Sequence, residues 1–190
     1  CGESFTKKSA VVISEKPVFI VVKEKKQVEQ PLCDLDFSNL KRAEDLDFQS
    51  KIPSFDIAED REMYKRSALK KWGMTKTSLF FSQRNSAVLY DLWTRINNIQ
   101  NPAIRKKLLF CFTAILPRSS KRYQWSNKAP LNAANQNYYI APVFYEWNVY
   151  DLFLKKIDAV QRSDNMIFND RKKTNVEQFY KIKSADNLDH

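Results

Sequence analysis

Apolar residues recur along this 190-residue chain in two rhythms, and the change from one to the other marks its organisation. Ala10-Val11-Val12-Ile13 and Pro17-Val18-Phe19-Ile20-Val21-Val22 are β-branched and aromatic runs joined by the polar Ser14-Glu15-Lys16. That composition suits a pair of strands. Residues 23–26 form a charged turn or strand end. From 31 to 60 the chain turns acidic, with short amphipathic pieces around 39–46 and a break at Pro53, the pattern of a connector laid over a surface.

After Ser82 the spacing is helical. Val88, Leu89, Leu92, Trp93, Ile96 and Ile99 fall on one stripe. Asn101-Pro102 opens a second helix, with Asn as the N-cap and Pro at the first helical position. Its apolar face holds Ile104, Leu108, Cys111, Phe112 and Ile115, and Pro117 marks its exit. So short a gap implies an antiparallel helical hairpin. Residues 118–137 have no period, and Tyr138-Tyr139-Ile140-Ala141-Pro142-Val143-Phe144 reads as extended, with Pro142 at an edge or bend. Asn148 and Asp151 resemble a capping box for a third helix whose buried face is Val149, Leu152, Phe153, Ile157 and Val160. Beyond a polar tail, Phe179-Tyr180-Lys181-Ile182 has the composition of a last strand. The expected class is α+β: an N-terminal strand pair, a helical hairpin, an extended segment and a third main helix.

Charge sharpens this picture. Residues 61–128 contain 15 Lys or Arg against Glu62 and Asp91 alone, a local +13, whereas the rest of the chain holds 17 basic and 20 acidic residues. A surplus confined to one block, with aromatic residues among it, points to a polyanion, and the expected partner is DNA. The alternative is a solvated cationic face. Other chemistries lack their residues. Two glycines, Gly2 and Gly73, cannot make a glycine-rich phosphate loop, and a single His at the terminal position 190 leaves no Ser-His or Cys-His pair for the folded body. Three cysteines offer neither a disulfide framework nor a zinc set, and Cys111, in an apolar run, reads as a buried thiol. The cysteine usage makes a reducing cytoplasm the expected location, and no apolar run approaches the ~20 residues that cross a bilayer, so no membrane partner is expected. A chain starting at Cys1 is that of a fragment, of a processed product, or of a lipoprotein anchored through that cysteine.

Two constellations carry the candidate contacts. In Arg118-Ser119-Ser120-Lys121-Arg122-Tyr123-Gln124-Trp125, three cations and two hydroxyls suit phosphate oxygens. Tyr123 and Trp125 can stack on bases, though the core is the better place for Trp125. In Ser82-Gln83-Arg84-Asn85, a helix N-terminus meets a fork-shaped donor, and Arg84 and Asn85 match purine edges. Lys70, Lys71, Lys76, Arg105 and Lys106 complete the expected phosphate-facing set.

Three ordered stretches resemble the middle region of bacterial DNA methylases with an N4/N6 amino-methyltransferase domain. They are Trp72-Gly73-Met74-Thr75 leading to Leu79-Phe80-Phe81-Ser82-Gln83-Arg84-Asn85, then Leu108 through Ser120, then Tyr139-Ile140 through Glu146-Trp147-Asn148-Val149 to Lys156. Cys1-Gly2-Glu3 is similar to the end of the family's zinc-ribbon-like insertion, without a full ligand set. Lys181 through Leu188 is similar to the lead-in to its Asp-Pro-Pro motif, which this chain, with no two adjacent prolines, lacks.

The resemblance implies a β-rich remnant of an insertion at 1–30, an acidic connector at 31–60 and a basic DNA-contacting helical module at 61–162. Residues 163–190 would be a tail leading to the catalytic motif. It implies a target-recognition segment working with catalytic portions of the same polypeptide. S-adenosylmethionine would be the cofactor of that parent, which would methylate an exocyclic amino group, adenine N6 by preference. This chain itself is expected to hold no cofactor and no catalytic residue; a stand-alone interaction protein is the competing class. Calorimetry should accordingly give no micromolar binding of S-adenosylmethionine to these residues, because they supply no glycine-rich cradle. Such binding would overturn the division of labour.

Overall fold

The computed structural model describes residues 14–23, 27–126, 138, 140 and 142–173. Strand β1 (Ile20–Lys23) pairs antiparallel with β2 (Gln27–Gln30), in register from Ile20 opposite Gln30 to Lys23 opposite Gln27. The expected strand pair is thus present one step later than read. The run at 17–22 supplies the first strand, the polar stretch after the charged turn supplies the second, and Ala10–Ile13 lies outside the described residues. Helix α1 (Asp34–Asp45) follows, a twelve-residue helix where the sequence pattern suggested only short pieces. Its N-cap Cys33 and Asp36 form a reciprocal box, with the Cys33 backbone N–H donating to Asp36 Oδ2 at 2.9 Å. That bond, more than any other effect, holds the Asp36 carboxyl below its usual pKa.

Short helical pieces occupy the middle: a 3₁₀ turn at Phe48–Ser50, α2 (Glu62–Arg66), and further 3₁₀ turns at Leu69–Trp72 and Thr77–Phe80. Gly73 ends the Leu69–Trp72 turn with a left-handed φ of 61°, a conformation glycine adopts without steric cost. Chain pairing ties this region to the acidic stretch, since Ile57 N–H donates to the Thr75 carbonyl at 2.8 Å and Thr77 N–H to the Phe55 carbonyl at 3.0 Å. Tyr64, Leu69, Met74, Phe80 and Ile140 are buried together as a small cluster.

The main core lies between three long helices. α3 (Gln83–Asn97) and α4 (Pro102–Ser119) form the expected hairpin, and α5 (Val149–Lys173) packs against both. Leu89, Leu92 and Ile96 of α3 meet Cys111, Phe112 and Ile115 of α4 and Val149, Leu152 and Phe153 of α5. Ser82 caps α3 by accepting from Asn85 N–H at 3.2 Å, and Asn101 caps α4 by accepting from Ala103 and Ile104 N–H at 3.0 and 3.2 Å. Each bond satisfies a donor that the first helical turn leaves open.

Three expectations need correction. Trp93 and Ile104, read as core-facing, are 39% and 52% exposed; the true stripe is narrower than the apolar pattern. Pro117 sits inside α4, which continues to Ser119. The third helix runs to Lys173, well past its last half-buried residue, Val160. Phe179–Ile182 lies outside the described residues. No helix among the described residues is long and apolar enough to cross a membrane.

The core assignment makes a direct comparison possible. Leu92→Ala, at 7% exposure, should cost about 2–5 kcal/mol. Leu154→Ala, on the same three-helix unit but 61% exposed, should change stability by no more than about 0.5 kcal/mol. Urea unfolding of the two variants beside the unsubstituted chain measures both.

Candidate nucleic-acid interface

The antiparallel hairpin brings the start of α3 against the end of α4, so the two constellations read from the sequence meet at one place. Their side chains divide sharply between inside and outside. Asn85 is 3% exposed and donates through Nδ2 to the Ser119 carbonyl at 3.0 Å. Ser119 and Ser120 are 2% and 4% exposed; their hydroxyls donate to the Ile115 carbonyl at 3.0 Å and the Pro117 carbonyl at 2.7 Å. A helix end leaves its last carbonyls without partners, and these three side chains satisfy carbonyls there. Asn85, Ser119 and Ser120 therefore close a helix end instead of facing outward.

Lys121 and Tyr123 are inside as well. The Lys121 backbone N–H donates to the Phe80 carbonyl at 2.8 Å, and its ammonium lies 2.8 Å from Glu15 with the side chain only 9% exposed. Tyr123 is 5% exposed and meets the Trp147 ring edge to face, with centroids 5.4 Å apart. The backbone beyond it pairs with the segment before α5, since Trp125 N–H donates to the Val143 carbonyl and Tyr145 N–H to the Tyr123 carbonyl. Trp125 is half-buried and packs its ring against Phe19 at 6.1 Å, in keeping with the preference for a packed Trp125. Within the 138–144 stretch read as extended, Val143 and Phe144 thus carry backbone pairing, while residues 139 and 141 lie outside the described residues.

Arg84 occupies an intermediate position. Its Nε is 3.0 Å from Glu146 Oε1, the same oxygen that accepts from the Ser82 hydroxyl at 2.5 Å. Glu146 was visible in the sequence only as one letter of the third stretch; its role as the partner of Arg84 depends on a contact across 62 positions. Arg122 lies over the Tyr138 ring at 5.4 Å and is half-buried. Arg105 is half-buried, with Nη1 3.4 Å from the Ile99 carbonyl, and Lys71 is half-buried.

The outward-facing members are Arg84, which Glu146 holds, and Lys70, Lys76, Lys106 and Arg118, all exposed. The Lys70 side chain is 82% exposed, with Glu59 at 4.0 Å, a separation at which solvent screens most of the attraction. Arg61, the N-cap of α2, and Lys65 within it, not singled out from the sequence, are also exposed; the signal for them was the basic window itself, which begins at Arg61. The charge of the block is moderated from outside it. Glu15, Glu59, Glu146 and Asp164 pair with Lys121, Lys70, Arg84 and Lys107, respectively. Within it, Arg95 lies 2.8 Å from Asp91, and this hydrogen bond is the main cause of the lowered Asp91 pKa. Burial pushes the Cys111 thiol up, away from nucleophilic use.

No group of three or more His, Cys, Asp or Glu is placed to hold a metal ion among the described residues. What the arrangement offers chemically is a set of exposed cations spread over several elements, with Arg118 at the closed end of α4 and Lys106 near its start. Comparison with protein-family models, curated proteins and solved structures found no match to this chain.

The closed helix end can be tested directly. Asn85→Ala removes the donor to a buried carbonyl and should cost about 1–3 kcal/mol of stability, read as a lowered urea midpoint. A substitution that is neutral in urea would show that the Ser119 carbonyl finds water instead.

Proposed function

We propose that this chain is a DNA-contacting, target-recognition segment of a site-specific DNA methyltransferase, acting beside catalytic portions of the same polypeptide. The observation that carries the reading is the +13 carried by residues 61–128, with Lys70, Lys76, Lys106 and Arg118 of that block exposed. Phosphate neutralisation by Lys and Arg releases condensed counterions and needs no deep pocket. A helical surface with cations on its ends and turns suits that task. The three stretches that resemble amino-methyltransferases supply the rest of the reading: the adenine N6 preference, S-adenosylmethionine in the parent, a bacterial restriction-modification setting and a cytoplasmic location.

The burial of Asn85, Ser119, Ser120, Lys121 and Tyr123 narrows the DNA-facing set to the exposed cations, with Arg105, Lys71 and Arg122 at its margin. Arg84 commits its Nε to Glu146 and keeps an exposed guanidinium, so it remains the candidate for base reading, whereas the Asn85 amide is buried on the Ser119 carbonyl.

Binding to duplex DNA, followed by fluorescence anisotropy, should weaken steeply with salt, with a log–log slope of about −0.9 per neutralised phosphate. Lys106→Ala should weaken all sequences alike and reduce that slope by about one contact. Lys121→Ala should act through stability, because its ammonium is paired with Glu15. Salt-independent binding, or none, would leave the basic block as a solvated face and favour the interaction-protein class.

A further inference from the structure

Whereas Arg122 lies over one aromatic ring, Arg118 is held against two. Its guanidinium carbon lies 5.6 Å from the Tyr123 ring centroid and 5.8 Å from that of Trp147. Those two rings meet at 89°, so they form a corner with Arg118 against both. The corner is anchored: Tyr123 is buried, and the backbone on either side of Trp147 is fixed by the Tyr145 N–H bond to Tyr123 and by the start of α5.

At the helix end that carries Arg118, the Pro117 and Ser119 carbonyls are already taken by Ser120 and Asn85. By contrast, Arg66, Arg84 and Arg95 are each ion-paired with a carboxylate, Glu62, Glu146 and Asp91. The contacts of Arg118 are with ring faces. A guanidinium held over ring faces commits none of its N–H donors to a carboxylate.

We propose that Arg118 is a preorganised fork-shaped contact for a pair of acceptor atoms on DNA, positioned by the Tyr123–Trp147 corner. Two phosphate oxygens, or O6 and N7 of guanine, present the required acceptor pair. The proposal rests on the DNA-contact reading and adds to it the residue whose geometry, beyond its charge, matters. The sequence grouped Arg118 with Lys121 and Arg122 as equal phosphate cations. The structure separates them, because Lys121 is buried against Glu15 and Arg122 is half-buried against Tyr138.

The test compares Arg118→Lys with Lys106→Arg in the full 190-residue chain, using duplexes with and without guanine over a range of salt. Arg118→Lys keeps the charge and removes the fork. It should lower affinity about tenfold while leaving the salt slope unchanged, and Lys106→Arg should leave both nearly unchanged. A loss equal on the two duplexes identifies phosphate as the acceptor pair, and a loss confined to the guanine-containing duplex identifies the base edge. In the unsubstituted chain, the Arg118 Nε–H resonance should shift on adding duplex, a reading that needs no variant to fold. Unchanged affinity in Arg118→Lys, or a static resonance with bound DNA, would overturn the proposal. Absence of any salt-dependent binding by the unsubstituted chain would instead remove the DNA reading beneath it.

Discussion

The closure of the α4 C-terminus by Asn85 is the interaction on which the arrangement of the rest depends. An antiparallel hairpin sets a helix start beside a helix end, where open carbonyls must be satisfied before the junction can be buried. The amide of Asn85 reaches across to Ser119, and the hydroxyls of Ser119 and Ser120 turn back onto the same helix. Once that end is closed without solvent, Lys121 can follow it inward to the Phe80 carbonyl. Tyr123 can then pack under Trp147, and the extended 143–145 stretch can lie alongside. The small cluster around Leu69 and the three-helix core share Phe81 at their edges, so both sides of the molecule meet at this junction.

The charge pattern takes its meaning from that junction. A window of sequence counts cations without regard to whether each points outward. Here the fold turns Lys121 inside, clasps Arg84 with Glu146 and places Arg118 on two aromatic rings. Acids from beyond the block supply several of the partners. The surface field that any polyanion meets is therefore set by fewer residues than the composition implies, and by residues on different elements.

The helices were legible because their signals are local. Helical spacing from Val88 to Ile96, the Asn101-Pro102 start and the Val149–Val160 face each lie within about three turns. The strand pair was legible as a type but displaced, because β2 is a polar segment, Gln27–Gln30, whose identity comes from pairing with β1. Helix α1 was underestimated since its residues are mostly polar and only Ala43 is buried. The candidate site was the least legible part. Ser119, Ser120, Lys121 and Tyr123 have the side chains of a phosphate-binding loop; the two hydroxyls turn back onto their own helix, and nothing near Lys121 and Tyr123 in sequence signals Glu15 and Trp147 as their partners. Hydrogen-bonding groups serve equally for a ligand and for a helix end; only the long-range contacts decide which.

The length of α5 has a further consequence. Its 25 residues extend about 37 Å at the usual rise, whereas its buried face ends near Val160, and every residue from Gln161 to Asp170 is exposed. Backbone amides in the first half are protected by a packed core, and those in the second chiefly by the helix's own bonds. Hydrogen exchange along this one helix should therefore change from slow to fast within a few turns. The element is a pillar of the core at one end and, at the other, an exposed helix that the Lys107–Asp164 pair ties to α4.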